Sequence, residues 1–239
     1  MKRFILSVCM AVLCMSCGQK AVSPDGNISM QMGEDGGINV LYKGQTAVEL
    51  TSVGMTTAAR GEGLVFRNMK KTGNIVESYE MIGGKKLLCS NEANEYVLNY
   101  EDNNGMPLKM VFRIYNDGIA FRYELSGLEN DTLKDEMTTY RIPEGTNRWI
   151  QRWTEPYEDF FPHSTTGKGI RSQHWGYPAL IEPSEGVFAL ITEAGIDRQQ
   201  RQARRTVDHN KVKILCKRMG KERITQSKYL FVNITAEDH

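Results

Sequence analysis

The apolar residues of this chain recur at every second position over much of its length after Asn27, and Gly, Asn and Asp interrupt them at short intervals. Alternation with a period of two is typical of strands that bury one face, and turn residues spaced by roughly 8–12 positions are typical of antiparallel sheets. No window of about 15 residues shows the 3.6-residue period of an amphipathic helix. The pattern predicts a mainly β, antiparallel sandwich.

The strongest local signal is a hairpin whose arms are residues 110–115 and 119–125. Both arms are rich in β-branched and aromatic residues, and Asn116, Asp117 and Gly118 between them tolerate the positive φ that tight turns demand. Residues 95–100 supply a preceding strand, which gives a three-stranded meander over residues 95–125. The alternation predicts further strands at residues 27–32, 38–42, 47–53, 63–67, 74–82, 86–90, 177–182 and 187–192.

Residues 144–177 have a different composition, because aromatic and acidic residues alternate there with Pro, Gly and Thr. This segment holds all three tryptophans of the chain and several acids: Trp149, Trp153, Trp175, Glu155, Glu158 and Asp159. Such a stretch cannot be a regular strand throughout, so it predicts long loops that cover one edge of the sandwich. Long ordered loops often carry function, which makes this segment the candidate region.

The first residues have the order of an export signal. Lys2 and Arg3 precede an apolar run over residues 4–13, and small Ser16 stands before Cys17. We interpret residues 1–16 as a lipoprotein signal peptide, Cys17 as the lipid-attachment cysteine and residues 17–25 as a tether. Ordinary signal peptidase cleavage is the alternative. The expected location is the periplasm or the outer membrane, with the lipid anchor as the contact with the membrane.

Composition and charge separate the last 39 residues from the rest. The 239 residues are 40% hydrophobic and 25% charged, which is ordinary for a globular protein. Residues 201–239 carry ten Lys or Arg against four acids, a net charge of +6, whereas residues 1–200 carry 20 against 25, a net charge of −5. We therefore predict a domain over residues 26–200 and a basic tail over residues 201–239. An exported protein meets little nucleic acid, so we expect no nucleic-acid partner.

The sequence lacks the motifs of several common enzyme classes, but it resembles one known protein family. There is no G-x-S-x-G, P-loop or H-E-x-x-H, which removes the local signals of esterases, nucleotide-binding proteins and zinc proteases. Four segments, at residues 118–123, 158–162, 169–180 and 186–195, resemble the N-terminal domain of glycoside hydrolase family 97. The likeness covers roughly residues 22–200.

The resemblance implies an antiparallel β-supersandwich of the galactose-mutarotase type with long loops at one edge. Members of the family are exported, calcium-dependent α-glucosidases and α-galactosidases whose catalytic carboxylates lie in a separate (β/α)₈ barrel. We therefore expect no catalytic residue in this chain and no hydrolysis by it alone. An α-linked oligosaccharide and the catalytic barrel are the expected partners. The alternative is a freestanding carbohydrate-binding lipoprotein.

The resemblance also implies roles for individual residues. Glu193 matches the position from which the family's N-terminal domain sends a carboxylate toward calcium, although one glutamate supplies at most two of the six to eight oxygen ligands that the ion takes. A solvated strand-end glutamate is the alternative. Residues assigned to a carbohydrate or domain interface are Trp153, Glu155, Glu158, Asp159, Arg171, His174 and Trp175. Solvated loop acids and buried tryptophans are the alternatives for this set.

The likeness stops near Gln200, where Arg201 begins a basic run that departs from the family. A frameshift or gene truncation near residue 200 explains this break, and a true short paralogue is the competing explanation. We expect residues 201–239 to be out of frame or poorly packed. Residues 211–215 and 229–234 have enough apolar and β-branched residues to attach loosely to a sheet edge.

Overall fold

The computed structural model describes residues 20–33, 36–61, 63–83, 87–125, 133–153, 158–168, 174–194, 203–208, 211–216 and 229–236. The described residues form strands and their connections. In chain order the strands are β1 (Lys20–Val22), β2 (Ile28–Met32), β3 (Ile38–Tyr42), β4 (Gln45–Ser52), β5 (Met55–Thr57), β6 (Leu64–Glu80), β7 (Leu88–Asp102), β8 (Pro107–Tyr115), β9 (Gly118–Leu125), β10 (Leu133–Glu136), β11 (Thr139–Arg141), β12 (Asn147–Arg152), β13 (His163–Thr165), β14 (His174–Ser184), β15 (Val187–Ala194), β16 (Ala203–Asp208), β17 (Lys211–Cys216) and β18 (Tyr229–Ala236).

Sixteen of these strands form one antiparallel sheet, and β5 pairs with β10 in a second, small sheet. The order along the large sheet is β1-β2-β3-β4-β11-β17-β16-β14-β15-β18-β9-β8-β7-β6, with β12 and β13 attached beside β14. The predicted mainly β, antiparallel class is confirmed. In the part of the chain that is described, no helix has the length and apolarity needed to cross a membrane.

One hydrophobic core joins the two halves of the large sheet. Buried side chains of β2, β3 and β4 belong to the same cluster as buried side chains of β7, β8 and β9. Phe112 and Phe121 stack at the centre with ring centroids 5.1 Å apart. At one end, the Asn94 side chain on β7 donates a 2.8 Å hydrogen bond to the Val22 carbonyl on β1. The sheet therefore bends back over itself, and its inward faces share a single apolar interior.

The predicted meander is confirmed, although its turn differs from expectation. β8 and β9 pair as far as Ile114 and Ile119, and none of the residues between them has positive φ. The side chain of Asn116 instead accepts a 3.0 Å hydrogen bond from the backbone N–H of Asp25. The two-residue turn with positive φ occurs between β3 and β4, at Lys43 and Gly44, with φ of 48° and 84°.

Two predicted pairs of short strands are in fact two long strands. The predicted strands 63–67 and 74–82 both fall on β6, which runs from Leu64 to Glu80, and residues 88–90 and 95–100 of the next predicted pair lie in β7. The polar residues between the predicted pieces hid their continuity. β6 lies at the edge of the sheet, so long runs of its side chains stay in water, and its pairing with β7 shifts register at two places. An edge strand need not alternate as a half-buried strand does.

The structure extends the domain at its N-terminal side. Residues 20–22, which we assigned to the tether, form β1 and pair with β2. Ala21 is fully buried, and the Val22 N–H donates to the Tyr96 hydroxyl at 3.2 Å. The assignment of residues 17–25 to a tether is therefore wrong from Lys20 onward, because that segment is hydrogen-bonded into the sheet.

The described parts of the basic tail pair more extensively than the loose attachment that the sequence predicts. β16 and β17 pair with each other and connect β14 to β11. β18 pairs with β15 over eight register positions and with β9 over four, so it lies inside the sheet rather than loosely at an edge. The net charge of the tail does not indicate this pairing, since charge governs solubility and partners and does not decide strand pairing.

A chain of buried hydrogen bonds links the small sheet to the core. The Gly54 N–H donates to the Tyr123 hydroxyl at 2.9 Å, which lies 2.6 Å from the Thr138 hydroxyl. Thr138 donates in turn to the Glu136 carboxylate at 2.9 Å. Burial raises the pKa of Tyr123, and the nearby Glu136 raises it further, so the phenol stays protonated and donates to Thr138.

Candidate functional site

The candidate segment at residues 144–177 contains strands that the sequence did not predict. β12 pairs with β13 on one side and with β14 on the other. The prediction of loops is wrong for residues 147–152 and 163–165. Short strands of three to six residues give too few alternating positions to stand out among the Pro, Gly and Thr of this region.

The predicted interface residues differ in their exposure to solvent. Trp153 is half-buried directly after β12, whereas Glu158 and Asp159 are exposed. His174 begins β14 at the register position opposite Thr206. Cys17, Glu155 and Arg171 lie outside the described residues. The assignment of the exposed and half-buried members to a carbohydrate or domain interface stays a prediction.

Trp175 lies inside the domain. Its side chain is 1% exposed and packs with Ile150 and Ala179 in a second buried cluster. The guanidinium of Arg148 lies 5.0 Å from the centre of the indole ring, and Arg148 Nε donates to Ser164 Oγ at 3.1 Å. This corrects the expectation that Trp175 lines a carbohydrate or domain interface, because a ring buried within its own domain presents no face to a ligand.

The burial of Arg148 changes the electrostatics of its guanidinium group. Removal from water lowers the pKa of its guanidinium, although an arginine remains charged at any physiological pH. The adjacent indole face is electron-rich and attracts this cation, most strongly where both groups are desolvated. The pair of Arg148 and Trp175 therefore holds β12 against β14 from the inner side.

The opposite face of the same strands carries a group that the sequence analysis did not assemble. Trp149 alternates with the buried Arg148 and Ile150 and so points outward from β12. Its ring centre lies 5.1 Å from His163 on β13 and 6.0 Å from Phe188 on β15. Three aromatic rings thus form a row across the outward face of four strands.

A hydrogen-bonded border runs beside this row. Asn147 Nδ2 donates to Glu182 Oε2 at 2.9 Å, and His163 Nε2 lies 3.2 Å from Asn147 Oδ1. The Gly186 N–H donates to the other Glu182 oxygen at 3.2 Å. Because Asn147 Nδ2 donates to the Glu182 carboxylate, the atom that faces His163 is the amide oxygen Oδ1. This oxygen can only accept, so His163 donates through Nε2. We call Asn147, Trp149, His163, Glu182 and Phe188 the Trp149 face.

Residue spacing along the sequence contained part of the signal for the Trp149 face. Alternation within β12 places Asn147 and Trp149 on one side, but only the pairing with β13 and β14 brings His163 and Glu182 to them. These partners lie 16 and 35 positions away from Asn147. Sequence spacing alone does not identify contacts at such separations.

Glu193 is the calcium ligand that the family resemblance implies for this chain. Among the described residues, no group of three or more His, Cys, Asp and Glu is placed to hold a metal ion. Glu193 lies in β15 at the register position opposite Leu230. A single carboxylate does not fit a calcium site by itself, since the ion takes six to eight oxygen ligands.

Comparison with protein families gives a match over most of the chain. The family model described as "Glycosyl-hydrolase 97 N-terminal" matches residues 21–214. A curated relative, the probable retaining alpha-galactosidase of Streptomyces bingchenggensis (strain BCW-1), is 24% identical over 171 residues, which covers 70% of this chain and 26% of the relative. The chain thus spans about a quarter of the length of that relative.

Solved structures share the fold. A beta-arabinopyranosidase superposes with a TM-score of 0.78 at 18% identity, covering 91% of this chain and 40% of that one. A glycoside hydrolase family 97 enzyme in complex with acarbose, from Pseudoalteromonas sp. strain K8, superposes with a TM-score of 0.74 at 15% identity, covering 91% and 35%. A panose complex of the same enzyme, its E480Q form, gives a TM-score of 0.75 at 15% identity with the same coverage.

The family match begins within β1 and continues into β17, past the boundary at residue 200 that the sequence analysis set. The antiparallel fold, the matched segment and the superposed neighbours agree with one another. This chain belongs to the glycoside hydrolase family 97 N-terminal domain family.

Proposed function

We propose that this chain is the non-catalytic N-terminal β-domain of an exported α-glycosidase that acts on α-linked oligosaccharides. The observation that carries the proposal is the family match over residues 21–214, within relatives of which the chain covers only 26–40%. Glycoside hydrolysis needs two carboxyl groups at a set separation across the scissile bond. The family resemblance assigns those groups to a barrel beyond this domain.

Activity assays with the purified chain test the proposal directly. With calcium present, aryl α-glucosides and aryl α-galactosides should show no turnover above a blank prepared from the same host without the chain. Hydrolysis that follows the chain through every purification step would contradict the proposal.

Calcium enters as a proposed cofactor of the whole enzyme. Glu193 would supply one carboxylate to an ion whose other ligands come from outside this chain. Calorimetric titration of the isolated chain with calcium should therefore show no stoichiometric binding. A 1:1 complex that Glu193→Gln abolishes would show instead that this chain holds the ion by itself.

Export and lipid attachment are proposals that rest on residues 1–17. Expression in a gram-negative host should yield a membrane-associated chain whose mass includes a lipid on Cys17. The Cys17→Ala variant should lose the lipid and leave the membrane fraction. A mature wild-type chain without lipid would favour ordinary signal peptidase cleavage.

A second candidate function is a freestanding carbohydrate-binding lipoprotein. The outward row of rings on the Trp149 face favours it, since a sugar-binding protein needs an accessible aromatic surface and no barrel. The two functions differ in one measurable respect. Only the second requires the isolated chain to bind saccharides with useful affinity.

A further inference from the structure

The Trp149 face combines two chemistries on a single rigid surface. Trp149 and Phe188 are half-buried and His163 is exposed, so all three rings keep contact with solvent. Their centres lie within 6.0 Å along the row. The Trp149 ring is tilted by 43° against the His163 ring and by 49° against the Phe188 ring, so the three rings form an angled apolar surface. Such a surface suits a ligand that places an apolar side on the central Trp149 ring.

The polar border supplies directional groups at the margin of the rings. Among the described residues, the hydrogen bonds of Asn147 use one of its two amide hydrogens, and those of His163 use one ring nitrogen. The second amide hydrogen, the other imidazole nitrogen and further lone pairs of Glu182 are left to a ligand. Hydroxyl groups suit this set, because a hydroxyl both donates and accepts.

The charge of the border selects among ligands. The Glu182 carboxylate accepts one hydrogen bond at each oxygen, from Asn147 Nδ2 and from the Gly186 N–H, and these bonds hold the acidic group beside the rings. A phosphate or an acidic sugar would meet this charge at close range and be repelled. A neutral ring with hydroxyl groups meets no such cost.

The border is also held in place before any ligand binds. Three hydrogen bonds connect side chains from β12, β13 and β14 with the turn before β15. Side chains fixed in this way lose little rotamer freedom on binding, which favours affinity. On the inner side, the guanidinium of Arg148 on β12 lies over the ring of Trp175 on β14 and holds these two strands together.

We infer that the Trp149 face is a binding site for a neutral pyranose unit of an oligosaccharide. The C–H groups on one side of the sugar ring lie on Trp149, and its hydroxyls exchange hydrogen bonds with Asn147, Glu182 and His163. The inference rests on the proposed function for the class of sugar only. It requires no catalytic residue, so binding here is independent of hydrolysis.

Isothermal titration of the mature chain with maltotriose and, separately, with melibiose tests the inference. Saturable binding to at least one of them in the millimolar range is the expected result. Trp149→Ala should weaken that binding at least tenfold, the order of loss found when a central aromatic contact is truncated. Phe160→Ala is the matched control, because Phe160 is 86% exposed and lies outside the Trp149 face, and its affinity should stay within about twofold of wild type.

A second variant keeps the test decisive if Trp149→Ala lowers the melting temperature. Asn147→Ala keeps the rings and removes the central hydrogen-bonding group of the border, so it should weaken binding while intrinsic tryptophan fluorescence still reports a folded chain. Failure of both sugars to bind would overturn the inference. Equal affinity in wild type and both variants, or a preference for sulfated polysaccharide or nucleic acid, would also overturn it. None of these results bears on the absence of hydrolysis, which the aryl glycoside assay decides.

Discussion

The placement of β18 between β15 and β9 makes a sharp prediction about the C-terminal segment. Asn233 lies opposite Leu190 on one side and Gly118 on the other. Replacing it with proline removes the backbone N–H from a strand with neighbours on both sides, where proline is not tolerated. The lost hydrogen bond costs about 1 kcal/mol, and the partner carbonyl left unpaired costs a further 1–3 kcal/mol or so.

The total of about 2–4 kcal/mol is a large share of the ~5–15 kcal/mol by which a typical domain is stable. For a domain of 150–250 residues it corresponds to a fall in melting temperature of roughly 5–15 °C. Calorimetry and urea unfolding of the mature chain measure it, with Asn233→Ala as the matched control because alanine keeps the N–H. Equal melting of the Pro and Ala variants would show that β18 does not pair inside the sheet. Deleting residues 229–236 should cost more still, since it exposes two strand edges together.

Two further predictions concern buried and charged groups. Tyr123→Phe removes the hydroxyl that accepts from the Gly54 N–H and donates to Thr138, so urea unfolding should show a loss of about 1–3 kcal/mol, and a loss below a few tenths would refute a role for this network. Glu95 makes the stability depend on pH. Burial raises the pKa of its carboxyl group, but hydrogen bonds, first among them the 3.0 Å bond from Arg113, outweigh burial and hold this pKa below the usual glutamate range. A group whose pKa is lower in the folded state than in the unfolded state stabilises the fold at pH values above its unfolded-state pKa. This stabilisation is lost as the pH falls through the folded-state pKa. Stability measured from pH 7 to pH 3 should therefore fall less in Glu95→Gln than in wild type, and parallel curves would contradict this reasoning.

The three strands after residue 200 also bear on the origin of the chain. An out-of-frame tail has no reason to match a family model, yet the match extends to residue 214. β16 and β17 join β14 to β11, so they fill a gap between two parts of the family fold. Translation of the gene around codon 200 in all three forward frames remains the measurement that distinguishes a frameshift from a continuous reading frame.

Local patterns in the sequence determined half of the strands. β3 occupies the predicted residues 38–42, and the hairpin of β8 and β9 has its turn where Asn116 and Asp117 stand. These elements are predictable because the alternation of apolar and polar residues and the chemistry of turns act over only a few neighbouring positions. The same local signals, joined to the family resemblance, identified the fold class.

Tertiary structure decided which strands lie inside the sheet and which aromatic rings are exposed to water. Trp149 and Trp175 are both aromatic residues of one segment, yet Trp149 lies outward beside His163 and Trp175 is buried against Arg148. β18 became an inner strand because β15 and β9, distant from each other in sequence, present unpaired edges to it. Such outcomes depend on contacts between remote positions, and neither composition nor periodicity encodes which remote partner completes a sheet.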